Sequence, residues 1–140
     1  IENVNNQGIK LNILGELKGL TITVRKNLKK CTQLTKKNKK ITVNLAINYG
    51  SKKEIFYALK KQRAGLSLKK FEKSLYTGNM PNPEILIRTG GHKRLSNFML
   101  WQLAYTELFF INKLWPDFKK KDYISIIKKF EKIKRNFGSI

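Results

Sequence analysis

A chain of 140 residues with 41% hydrophobic residues and a net charge of +21 is large enough for one domain with a real core and short for two. No stretch approaches the roughly 20 apolar residues that cross a bilayer. The first residues lack the layout of a secretory signal, and the single Cys31 excludes a disulfide framework or a cysteine metal cluster. The chain therefore reads as cytoplasmic. It begins with Ile1 and a polar stretch to Gly8, which reads as a piece of a longer polypeptide. The charge points to a polyanionic partner, nucleic acid or an anionic membrane surface. The excess is nearly all lysine, however, and Asn and Ile, which share AT-rich codons with it, are also plentiful. The five arginines say more, because Arg88 and Arg94 stand six apart in one glycine-containing loop.

Along the chain, Ile9, Leu11 and Ile13 alternate with Lys10 and Asn12, which predicts a strand over Ile9 to Leu14. Leu20, Val24, Leu28, Cys31 and Leu34 line one face of a helix whose other face is lysine. Period two returns with Ile41, Val43, Leu45 and Ile47, so strand, helix and strand make a βαβ unit with parallel strands. Ser51 and Glu54 are spaced as the N-cap and N3 of a capping box, predicting a helix through Ile55, Ala58 and Leu59 towards Arg63. A shorter helix should turn Leu68, Phe71 and Leu75 inward. Pro81 and Pro83 then hold the chain extended before a third buried parallel strand at Glu84 to Arg88. Tyr123, Ile126, Ile127, Phe130 and Ile133 mark a last helix. The fold class is α/β, a mostly parallel sheet flanked by helices.

The segment from Ile87 to Phe98 joins the C-terminal end of a parallel strand to a predicted helix, the edge where open α/β sheets bind ligands. Gly90 and Gly91 let backbone amides approach an anion. Arg88 and Arg94 add forked donors, and Ser96 is placed as the N-cap of the following helix, with Leu95 and Leu100 as its hydrophobic staple. These groups suit a phosphate or diphosphate, or else a solvated turn whose serine merely caps. His92 reads as a solvated side chain. Glu107 lies in the apolar run Phe98 to Phe110, where it is an exposed or ion-paired carboxylate or a ligand for Mg2+. On one continuous helix it would stand about 16 Å from Ser96. The metal reading therefore requires the helix to stop near Ala104 and a strand, Glu107 to Ile111, to fold back beside the loop.

Taken together, Ile87-Arg88-Thr89-Gly90-Gly91, Arg94-Leu95-Ser96-Asn97-Phe98, Leu100 to Tyr105, Glu107-Leu108 and Leu114-Trp115-Pro116-Asp117-Phe118 resemble the cis-prenyltransferase family. Asn44 to Gly50 and Arg135-Asn136-Phe137-Gly138 extend the likeness over essentially the whole chain. The resemblance implies that residues 1–140 are the C-terminal part of a larger single-domain fold, without the family's N-terminal block and its catalytic Asp. It implies elongation of an allylic diphosphate, such as farnesyl diphosphate, with isopentenyl diphosphate to a long cis-polyprenyl diphosphate of the undecaprenyl type. Arg88, Arg94, Ser96 and the Leu95 main chain would hold isopentenyl diphosphate, and Glu107 would bind Mg2+. A homodimer, a hydrophobic tunnel for the growing chain and delivery of product to a membrane surface are implied too, and these 140 residues alone would be inactive. His92 and Lys93 stand where the family has an acidic residue and often His, and Ser51 and Lys52 replace a usual Gly-Arg. The alternatives are a non-catalytic remnant or subunit of the fold, or a basic nucleic-acid-binding domain. The latter accounts for the charge but not for the order of Arg88, Arg94, Ser96 and Glu107.

Overall fold

A computed structural model describes residues 2–61, 65 and 67–136. Its contacts fall into two compact units, residues 1–79 and 80–140. In the first, a short helix α1 (Glu2–Asn6) leads into β1 (Ile9–Gly15), α2 (Ile22–Leu34), β2 (Ile41–Ile47), α3 (Ser51–Lys60) and α4 (Leu68–Ser74). β1 and β2 pair in parallel from Ile9 with Ile41 to Gly15 with Ile47, so the period-two segments form the expected βαβ unit. Polar groups fix its closure. Thr35, at the end of α2, is fully buried; its hydroxyl donates to the Cys31 carbonyl and accepts the Leu11 amide at 3.0 Å. The Asn38 side-chain Nδ2 donates to the Ile9 carbonyl at 2.9 Å. Gly15 ends β1 at φ +107°, where a Cβ would meet the Ile47 carbonyl.

Ala58 of α3, Phe71 of α4 and Leu75 are buried and form a small apolar cluster with Ile55 against it. Leu68, read as inward, is exposed, as is Leu59, and no residue of α2 is buried, with Val24 and Leu34 open to solvent. Arg63, the expected end of the α3 helix, lies outside the described residues.

The capping box at Ser51 does not form. Gly50 is the N-cap of α3, and Ser51 is its first helical residue. Glu54 is 3% exposed and turns inward instead: its carboxylate accepts the Tyr49 hydroxyl and, at 2.7 Å, the Tyr76 amide. The rings of Tyr49 and Tyr76 lie 6.2 Å apart around it. A carboxylate placed to cap its own helix thus ties that helix to the segment after α4.

The second unit contains β3 (Ile85–Arg88), β4 (Glu107–Phe110), a 3-10 turn at Trp115–Asp117 and α5 (Lys120–Phe130). β3 pairs in parallel with β4, as a sheet of two strands distinct from the β1–β2 pair. Of the residues that mark the last helix, Ile126 is buried, whereas Tyr123 is half exposed and Ile133 falls beyond the helix. Asp122 in its first turn accepts the Lys119 amide at 2.9 Å and the Lys113 ammonium at 2.7 Å. The Lys113 bond, then that amide, holds the Asp122 carboxyl below its ordinary range.

Candidate functional site

β3 delivers Arg88 at its last residue, and the chain then turns through Gly90 at φ +88° and Gly91 at φ +76°. Left-handed backbone of this kind suits glycine. The turn lays the loop along the continuation of β4. The Gly90 amide donates to the Lys113 carbonyl at 2.8 Å, and the Gly91 amide to the Ile111 carbonyl at 2.9 Å. These two amides, expected to face an anion, are therefore spent on the segment after β4. The glycines shape the loop, and its side chains are left to bind.

Those side chains gather on one side. Arg88 Nη1 donates to the Arg94 carbonyl and, at 3.3 Å, to the Ser96 hydroxyl. Arg88 and Arg94 line the same cavity of about 260 Å³, with Leu95, Thr89, Leu86, Ile87 and Phe98 as its other walls. A guanidinium has five N–H donors, so bracing the loop leaves Arg88 others to offer, and the Ser96 hydroxyl accepts one bond while keeping its own proton to donate. The result is a pocket with a cationic rim and an apolar wall, suited to a small phosphate-bearing molecule with a hydrocarbon portion.

No helix follows Ser96. Ser96, Asn97 and Met99 all have positive φ, at 49°, 63° and 46°. Three left-handed residues in four cannot start a right-handed helix. The segment to Tyr105 runs as turns closed by single bonds such as Leu103 N–H to the Met99 carbonyl. Ser96 thus contributes its side chain, without a helix N-terminus behind it.

Glu107 opens β4, as the metal reading required. The parallel register sets it level with Ile85, three residues before Arg88, or about 10 Å along the strands. Its carboxylate is 4.0 Å from Arg135 Nε. Arg135 also binds Glu84 at 3.1 Å and the Tyr105 carbonyl at 2.9 Å, and lies over the Phe130 ring. This arrangement, at the opposite end of the strand pair from the loop, had no separate signal in the sequence. Mg2+ wants about six oxygen ligands. Among the described residues no three His, Cys, Asp or Glu side chains gather to hold a metal ion, and the carboxylate present sits beside a guanidinium. Strand register thus sets Glu107 beside Arg135, as a single carboxylate of the kind that Mg2+ takes together with waters and substrate phosphates. Glu107→Gln is expected to lower stability by no more than about 1 kcal/mol in urea unfolding, the scale of a partly exposed ion pair.

His92 and Lys93 are exposed in the loop. Arg135 and Asn136 are described, whereas Phe137 and Gly138 of the same motif lie outside the described residues. Among the described residues no helix is long and apolar enough to cross a membrane.

Comparison with known proteins places the chain in one family. The Prenyltransf family model, that of undecaprenyl diphosphate synthase, matches residues 1–138. The isoprenyl transferase of Rickettsia bellii is 42% identical over 142 residues, covering 99% of this chain and 63% of its own length. That of Thermotoga maritima is 36% identical over 148 residues, covering 100% of this chain and 64% of its own. A crystal structure titled as a probable undecaprenyl diphosphate synthase from Campylobacter jejuni is 33% identical with a TM-score of 0.90, over 99% of this chain and 67% of that one. Lavandulyl diphosphate synthase from Lavandula x intermedia, solved with dimethylallyl diphosphate, is 31% identical with a TM-score of 0.91, over 99% of this chain and 64% of that one. The chain spans just under two thirds of the length of the curated relatives it matches.

Proposed function

This chain belongs to the undecaprenyl diphosphate synthase family of cis-prenyltransferases, and on that premise we propose that it forms the isopentenyl diphosphate site of an enzyme that lengthens an allylic diphosphate. The observation that carries the reading is the gathering of Arg88, Arg94 and Leu95 around one cavity at the C-terminal end of β3, with the Ser96 hydroxyl held to Arg88 Nη1 at 3.3 Å. The two guanidinium groups and the Ser96 hydroxyl would hold the diphosphate, with the Leu95 main chain alongside. The isoprene portion would lie against Leu86, Leu95 and Phe98. Held so, the double bond of isopentenyl diphosphate forms a carbon–carbon bond to C1 of the allylic partner. That partner, such as farnesyl diphosphate, releases diphosphate, and loss of a proton restores a double bond.

Mg2+ would supply the charge compensation that two diphosphates need. Glu107 is the residue of this chain that would help bind it, alongside ligands from the part of the relatives' length that this chain does not cover. The allylic site and the rest of the catalytic groups fall to the part of the relatives' length that this chain does not cover, so these 140 residues alone would not turn over. A homodimer, an apolar tunnel for the product, a cytoplasmic setting and release of product at a membrane surface complete the proposal. A nucleic-acid-binding domain has the charge in its favour but no account of the loop.

The test joins the chain to the remaining segment of a relative such as the Thermotoga maritima isoprenyl transferase. Incorporation of labelled isopentenyl diphosphate into long prenyl products is then measured. The proposal expects incorporation that depends on Mg2+ and on the joined segment. Allylic primer left unextended by a folded fusion would overturn it in favour of a non-catalytic remnant.

A further inference from the structure

α5 turns Ile126 into the unit and presents the opposite side to solvent. Lys121, Ser125 and Lys128 follow one another at steps of four and three along the helix, and Lys132, four further on, continues the stripe into the turn that ends it. With Lys129 and Ile124 they line a shallow groove of about 340 Å³. No acidic side chain lines it. Of the nearby carboxylates, Asp122 is engaged by Lys113, and Glu131 is the residue that caps the helix end. We propose that this face of α5 docks on an anionic lipid surface, the lysines meeting headgroup phosphates and Ile124 entering the headgroup boundary.

The chemistry favours lipid over nucleic acid. The groove holds no arginine to grip phosphates in forked fashion and no aromatic ring to stack a base. It does hold an isoleucine 41% exposed among cations. A nucleic acid would leave that side chain wet, whereas a bilayer boundary takes up aliphatic groups and lets lysine stems lie along it with the ammonium in water. The face is also tied to the diphosphate loop. Lys113 holds Asp122 of α5 with its ammonium and accepts the Gly90 amide with its carbonyl. A surface that engages α5 therefore lies one residue's reach from the loop, whatever reaction that loop serves.

Co-sedimentation of the purified chain tests this, with vesicles of phosphatidylcholine alone and of phosphatidylcholine mixed with phosphatidylglycerol. Binding is expected to the mixed vesicles only. Changing Lys121, Lys128, Lys129 and Lys132 together to Gln should weaken it at least about tenfold, given what each lysine contributes at an anionic surface. Changing Lys26, Lys29, Lys30 and Lys37, exposed in the first unit, to Gln removes the same charge and should leave binding within about twofold. Ile124→Ser should weaken vesicle binding and leave binding to a single-stranded oligonucleotide unchanged. Equal losses from the two lysine sets would reduce the effect to overall charge and overturn the proposal. So would an Ile124→Ser protein that sediments like the unaltered chain, or an α5 lysine set that matters only for the oligonucleotide.

Discussion

Replacing Arg88 by alanine is expected to weaken binding of isopentenyl diphosphate to this chain about a hundredfold, a loss of about 3 kcal/mol. Two effects add. The substitution removes one of the two guanidinium groups on the cavity rim, and it removes the brace that Nη1 provides to the Arg94 carbonyl and the Ser96 hydroxyl. The second effect sets Arg88 apart from Arg94, whose removal takes a charge but leaves the loop tied. Arg88→Lys separates the two: it restores charge without the planar fork, so it should recover only part of the affinity. Calorimetric titration of the chain and its variants reads these differences directly. Equal, small effects of Arg88→Ala and Arg88→Lys would mean that the guanidinium supplies only charge at a distance.

The largest loss of stability is expected at Glu54. Its carboxylate is buried and serves both the Tyr49 hydroxyl and the Tyr76 amide. Glu54→Ala takes from the Tyr76 amide and the Tyr49 hydroxyl the acceptor that this carboxylate supplies, and leaves a void where a buried side chain stood. A loss of about 2–3 kcal/mol follows from orphaned polar groups and broken charge-assisted bonds. Glu54→Gln keeps an acceptor and should cost about half of that. Urea unfolding followed by far-ultraviolet circular dichroism checks both values. A Glu54→Ala midpoint equal to that of the unaltered chain would show that the Tyr49 and Tyr76 bonds contribute nothing net.

The sequence was most legible where a pattern is repeated by several residues. Ile9 to Ile13 and Ile41 to Ile47 alternate over their full length, and both strands stand within a residue of where the alternation puts them. Position along the chain also brought Arg88, Arg94 and Ser96 to one loop, because a strand end followed by two glycines leaves little freedom in where the next residues go. Single-residue signals fared worse. Ser51 and Ser96 both stand where an N-cap serine would, but capping depends on backbone angles: Gly50 took the cap at α3, and positive φ at Ser96, Asn97 and Met99 excluded a helix. The glycine amides looked available to an anion because nothing in the local sequence reveals that Lys113 and Ile111 offer carbonyls to them. Glu107 shows the same limit. Its strand was anticipated, but which end of the pair it occupies is a matter of register with β3. Burial of helix faces was overestimated for a related reason. Periodicity at Val24 and Leu34 marks a face that can be covered, and the described residues leave those side chains exposed.

A crystal structure of the chain bound to isopentenyl diphosphate would put the central claim to its most direct test. The account predicts the diphosphate in the cavity walled by Leu86, Leu95 and Phe98, with its oxygens in hydrogen-bond reach of both Arg88 and Arg94 and of the Ser96 hydroxyl. A diphosphate seated on the α5 lysines or beside Arg135, with that cavity empty, would contradict it.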